Sequence, residues 1–284
     1  MSTMHNNSYQ LQYLLRYYSK VLQSLGDIPM AHTPKIITEQ EKINTIVTVV
    51  KNDIKKPTVQ KPSLQCDIKK IIPQKPAINN ISKSKIESQN TINLDNITTL
   101  EELKKKLDSI ELCEIQQFAT NTVFGDGTQD AKIIVIGEAP GQDEDEKGIP
   151  FCGRSGQLLM NAFASIGLSR EKNFFITNNI FWRPPGNRKP SEEEVMTCKP
   201  FIKKISEIIR PEVIICVGAV ASQNILETEQ TISLMRGKQF NTTFGCDVKV
   251  FCIYHPSYLL RNPSKKYEMY KDLLGILPHI SHLL

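Results

Sequence analysis

The apolar run Lys132-Ile133-Ile134-Val135-Ile136 breaks directly into Gly137-Glu138-Ala139-Pro140-Gly141, and no other junction constrains the fold as much. A short β-branched run closed by Gly and Pro reads as a buried strand. The acidic Gly/Pro loop that follows runs on to Pro150-Phe151. It sets backbone amides, carboxylates and an aromatic ring at the strand's carboxyl edge, where open α/β sheets build their sites.

The same grammar repeats downstream. Thr99-Leu100-Glu101-Glu102 is a capping-box pattern that opens a helix over 100–110. Beyond it the pattern predicts strand 132–136, helix 155–166, strand 173–177, helix 191–209, strand 212–217, helix 218–226, strand 248–253 and helix 264–276. Strand–helix alternation implies right-handed βαβ units. The expected fold is therefore a three-layer α/β/α domain with a short, mostly parallel central sheet over 97–284.

Upstream, residues 9–24 read as an amphipathic helix ended by Leu25-Gly26, giving an N-terminal segment 1–26. Residues 27–96 are rich in Lys, Ile, Asn and isolated Pro without a sustained period, and read as a flexible linker. Gln10-Leu11-Gln12-Tyr13-Leu14-Leu15 faintly resembles a sliding-clamp-binding peptide, so a weak clamp contact is one candidate partnership.

With 35 Lys and Arg against 30 Asp and Glu, the net charge of +5 permits nucleic-acid binding without requiring it. The seven cysteines form no Cys-x-x-Cys pair. With an odd count and no signal-peptide core they are expected as reduced thiols in a cytoplasmic protein. No apolar run reaches the length of about 18 residues that a membrane span needs. A monomer is expected.

Four loops should meet at the strands' carboxyl ends: Gly137–Phe151, Thr177–Arg188, Gly218-Ala219-Val220 and His255–Arg261. Together they resemble the uracil-DNA glycosylase superfamily, and most closely its family four. The matching segments are Gly-Glu-Ala-Pro-Gly (137–141), Glu144-Asp145, Gly-x-Pro-Phe-x-Gly (148–153), Ile-Thr-Asn (176–178), Arg-Pro-Pro-Gly-Asn-Arg (183–188) and His-Pro-Ser-Tyr-Leu-Leu-Arg (255–261). They fall in the family's order across about residues 97–277.

The residue types suit that chemistry. Breaking an N-glycosidic bond leaves positive charge on the sugar and negative charge on the departing base. A flipped base needs a stacking face, edge-reading hydrogen bonds and a donor for its growing oxyanion. The resemblance implies that Phe151 stacks on uracil and that Asn178 reads the O4 and N3–H edge. It also implies that His255 donates to O2. Asn178 carries one amide donor set and one acceptor, which fits uracil and mispairs with cytosine. Asn179 next door lies one register away, and the Ile-Thr-Asn pattern favours Asn178.

Glu138 is the candidate that orients water or stabilises the cationic sugar. Family-one relatives place an Asp one position later, where this chain has Ala139. Asp143, Glu144 and Asp145 remain alternatives. The DNA-contacting candidates are Arg183, Asn187, Arg188, Gly218, Ser257, Leu259 and Arg261. Among them Tyr258–Arg261 forms the expected wedge and phosphate clamp. Arg236-Gly237 is a further backbone-contact candidate.

Typical family-four members carry a [4Fe–4S] cluster on four cysteines. Cys113 and Cys198 stand at two of those positions, but Ile110 and Trp182 occupy the others. Two thiolates do not make the Cys₄ set, so no cluster and no other cofactor or metal is expected. A family branch that bonds covalently to uracil-DNA has extra residues before Pro-Phe. Here only Glu146-Lys147-Gly148-Ile149 stand there, so turnover is expected.

The resulting expectation is a monofunctional uracil-DNA glycosylase that leaves an abasic site for base-excision repair. A non-catalytic uracil-DNA-binding or replication-associated module is the alternative. A nucleotide-binding enzyme is disfavoured, because no Gly-x-Gly-x-x-Gly or Walker pattern follows any strand.

Overall fold

Alternate residues of each central strand turn to opposite faces, and this sorts the interior into two cores. The computed structural model describes residues 92–284, so the N-terminal helix, the clamp-like peptide and most of the linker lie outside the described residues. Within them are strands β1 (Asp126–Gly127), β2 (Ile133–Gly137), β3 (Phe174–Asn178), β4 (Val213–Val217), β5 (Gln239–Phe244) and β6 (Cys246–Ile253). The helices are α1 (Leu100–Asp108), α2 (Gln142–Lys147), α3 (Arg154–Ser165), α4 (Glu192–Ile209), α5 (Ala219–Leu226), α6 (Ile232–Met235), α7 (Pro256–Arg261) and α8 (Lys266–Ile280).

The sheet order is β1-β3-β2-β4-β6-β5. The four inner strands are parallel, while β1 and β5 pair antiparallel at the two edges. The expected mostly parallel α/β/α architecture is what the chain adopts. Ile134, Ile136, Phe175, Ile214, Cys216, Val250 and Cys252 face one core, shared with α1, α4 and α5. Ile133, Val135, Phe174, Ile176, Val213, Ile215, Phe251 and Ile253 face the other, shared with α3, α7 and α8. This is the period-2 side-chain alternation of a strand buried on both faces.

The helices start where their caps dictate. Thr99 and Glu102 close a reciprocal capping box on α1, and Ser191 and Glu194 do the same on α4. Each such cap contributes about 1 kcal/mol by satisfying orphan backbone donors. Phe163 of α3 is fully buried edge-on to Phe174, with ring centroids 5.4 Å apart. Truncating it to Ala would cost about 3–5 kcal/mol.

Several segments differ from the sequence expectation, among them the short strand β1 and helix α6. Packed structure begins before residue 97, because Leu94 is buried and Ile92 packs against the first core. The acidic loop contains α2, and the edge strand β5 was not predicted. Residues 256–261 form α7 rather than a loop.

Candidate active site

The carboxyl ends of β2, β3, β4 and β6 open onto one cavity of about 650 Å³. Gly137, the last residue of β2, pairs with Asn178, the last of β3. A Cβ added at Gly137 would lie 2.4 Å from Asn178 Oδ1 and 2.4 Å from Phe151 Cζ. Only a bare α-carbon lets the amide and the ring close over the strand end. Glu138, Phe151, Asn178, Gly218 and His255 all line this cavity.

Asn178 is 2% exposed and its Nδ2 has no hydrogen-bond partner. An orphan buried donor costs about 1–3 kcal/mol, and here it sits on a cavity wall. Asn179 does not line the cavity; its Oδ1 accepts from Asn224 Nδ2 at 2.8 Å. Of the two neighbours, Asn178 is the one that lines the cavity.

His255 caps α7, and its Nδ1 accepts the Ser257 backbone N–H at 3.2 Å. That acceptor role leaves the proton of a neutral ring on Nε2. Burial, with the nearby Arg261 charge adding to it, lowers the His255 pKa to about 4. The imidazole is thus neutral at pH 7 and carries one directed donor. A Cβ on Gly218 would come within 3.0 Å of His255 Cβ, and the Gly218 φ of +95° is unfavourable for any L side chain. The Phe151 and His255 rings are 6.2 Å apart.

The acidic candidates separate by their partners. Glu144 is buried and accepts the Gly141 and Gly153 backbone N–H groups at 3.1 and 2.9 Å. Asp145 accepts those of Thr120 and Asn121 at 2.8 and 3.2 Å. Both hold loops in place. Asp143 is exposed and does not line the cavity. Glu138 is half-buried on the wall, and burial raises its carboxyl above the ordinary range against the pull of Lys189 and Arg261.

On the outer rim, Arg261 is exposed and makes no ion pair among the described residues. Ser257, Asn187 and Arg188 also line the cavity, and Arg183 does not. Arg183 Nε donates to Asn187 Oδ1 at 2.6 Å. Arg188 is engaged by both oxygens of Glu194, at 2.9 and 2.6 Å, so its charge is already matched.

Two expectations are corrected here. Leu259 is fully buried in the second core and cannot enter a DNA stack; the half-exposed neighbours are Tyr258 and Leu260. Arg236 does not reach outward. It pairs with Asp272 at 2.9 Å, donates to the Glu268 carbonyl at 2.6 Å and lies 4.8 Å over the Tyr254 ring. Sequence reasoning missed Lys189, Ser155, Ser233 and Tyr254. The last three line the cavity, and Lys189 acts on Glu138. None of the four carries a motif of its own.

The residues at the cluster positions do not fit an iron–sulfur group. The Cys198 thiol hydrogen-bonds the Cys113 sulfur, which draws the Cys113 thiol down and pushes Cys198 well up, with burial adding to the latter. Trp182 is 1% exposed, packs edge-on against Phe181 and donates Nε1–H to Thr122 Oγ1 at 3.2 Å. Ile110 packs against the same core. Among the described residues no group of three or more His, Cys, Asp or Glu is placed to hold a metal.

The sequence model of the uracil DNA glycosylase superfamily matches residues 124–275. The type-4 uracil-DNA glycosylase of Archaeoglobus fulgidus is 42% identical over 183 residues, covering 63% of this chain and 92% of that protein. The type-4 enzyme of Sulfurisphaera tokodaii is 37% identical over 63% of this chain and 83% of its own length. That of Thermotoga maritima is 37% identical over 59% of this chain and 86% of its own. With the strand-end geometry and these matches together, the chain belongs to the uracil-DNA glycosylase superfamily, alongside its type-4 members.

Proposed function

We propose that the chain is a monofunctional uracil-DNA glycosylase that hydrolyses the bond between a flipped uracil and its deoxyribose, leaving an abasic site. The carrying observation is the convergence of the unpartnered Asn178 amide, the Phe151 ring and the neutral His255 on one cavity. As the bond breaks, electrons flow into the base and charge gathers on O2. His255 Nε2–H donates to that oxygen without a proton being transferred. A donor at a developing oxyanion is worth about 10²–10³ in rate. Asn178 donates to O4 and accepts from N3–H. Cytosine reverses that edge and would leave buried groups unpaired, a rejection of about 10⁴-fold. Phe151 stacks on the base. Glu138 faces the sugar as the carboxylate that orients water and balances the cationic ring.

DNA is held by Arg261, with Ser257, Asn187, Arg188 and Gly218 near the cavity and Arg183 bracing Asn187. We place the enzyme in the cytoplasm; Trp182 and Ile110, standing where two cluster ligands would be, support a reading without an iron–sulfur cluster. Purified protein should lack iron and absorbance near 400 nm; finding both would overturn the cluster-free reading.

The function is tested with a uracil-containing oligonucleotide treated with the protein and then with alkali. Strand breaks should exceed those of an Asn178→Ala/His255→Ala control. Tight uracil-DNA binding with no base released would select a non-catalytic reader instead.

A further inference from the structure

Phe151 carries a φ of +52°, a left-handed conformation that is rare for a bulky residue. Such a conformation is unfavourable and persists only where the surroundings over-determine it. Two contacts do so here, and neither belongs to the ring. The Phe151 carbonyl lies flat on α3, where a Cβ at Gly156 would fall 2.0 Å from its oxygen. The same oxygen accepts from Arg170 Nη2 at 3.1 Å.

Arg170 is itself anchored. Its Nη1 meets Asp126 Oδ2 at 2.8 Å, and its side chain is 15% exposed against 45% for Asp126. Asp126 lies in β1, paired with Ile176 of β3, two residues before Asn178. One guanidinium thus ties the Phe151 peptide to β1, the edge strand paired with the strand that presents Asn178.

We propose that Arg170, oriented by Asp126, is a positioning residue for base recognition. It clamps the Phe151 carbonyl, fixes the left-handed peptide and sets the ring in register with Asn178. The proposal rests on Phe151 being the stacking face. Freed from the clamp, the Phe151 peptide would relax and swing the ring out of line. Displacements of about 1 Å at a reacting group can cost up to about 10²-fold. A lysine replaces the fork only in part, since its single ammonium keeps the charge but does not span the carbonyl and the carboxylate with fixed geometry.

The test is a double-mutant cycle on uracil release, with kcat and KM measured separately. Arg170→Ala should lower kcat/KM by about tenfold or more, and Arg170→Lys by less. In a Phe151→Ala background the same Arg170→Ala change should cost under about twofold, because the group it positions is gone. Melting temperatures accompany each variant. Should Arg170→Ala fail to fold, Asp126→Asn, which removes only the half-exposed anchor, carries the same cycle. Equal losses in both backgrounds, or no loss in either, would overturn the clamp. A Phe151→Ala enzyme with unchanged kcat/KM would instead sink the stacking assignment, and the clamp with it.

Discussion

The Phe151 and His255 rings stand 6.2 Å apart, inclined by 36°, each above a glycine that leaves it room. Gly137 lies under Phe151 and Asn178, and Gly218 under His255. Gly137→Ala would drive a methyl against the Asn178 amide and the Phe151 ring, both at 2.4 Å. Gly218→Ala adds a left-handed penalty to its contact with His255. Each variant should lose up to about 10²-fold in kcat/KM, because recognition groups move by a fraction of an ångström to an ångström. Steady-state uracil release, with melting curves to show retained folding, checks this.

The acid limb of the pH–rate profile should follow Glu138. His255 protonates only near pH 4, so it stays neutral through the range where a raised carboxyl titrates. Activity falls as pH drops through the Glu138 pKa, since the protonated acid no longer balances the cationic sugar. Glu138→Gln should remove that limb. Arg261 holds both pKa values down, so Arg261→Ala should move the limb to higher pH. A limb unmoved in Glu138→Gln would reassign it to another group.

Binding to uracil-containing DNA should weaken steeply with salt. Neutralising a phosphate contributes about 0.9 to the slope of log K against log salt. Arg261→Ala should therefore reduce that slope by about one. Arg188→Ala should change it less, because Glu194 already matches the Arg188 charge. Fluorescence anisotropy across a salt series separates the two.

The Arg236–Asp272 pair pins the chain after α6 to α8, with side chains 18% and 4% exposed. Asp272→Ala removes the buried partner while Arg236 keeps its Glu268 carboxylate and carbonyl contacts, and should destabilise the protein by about 1–3 kcal/mol. In the Lys199–Glu227 pair the carboxylate is 74% exposed, so Glu227→Ala should change stability little. Chemical denaturation measures both.

The alternation of β-branched runs with helical patterns made the inner strands legible to within about two residues, because both faces of the sheet are buried. Helix α2 was not legible. Gln142-Asp143-Glu144-Asp145-Glu146-Lys147 has no apolar face, and its inward groups are carboxylates bound to backbone amides. Strand β5 was missed because Gln239-Phe240-Asn241-Thr242-Thr243-Phe244 exposes one face at a sheet edge. Leu259 was misplaced because a loop reading of 256–261 hides which side a helix buries. His255 followed by Pro256 was the available signal, since Pro favours the first helical position. Asn178, Phe151 and His255 were found through motif resemblance. Arg170 was not, because its partner is a carbonyl and carbonyls leave no trace in sequence.

His255 is both the donor assigned to the base and the cap of α7. The Ser257 amide that starts the helix is the same group that decides which imidazole nitrogen carries hydrogen. The positive end of that helix also disfavours a charged ring. Fraying of one short turn and loss of proton placement are therefore a single event. A heated sample should fall silent as that turn loosens, well before the sheet beneath it melts.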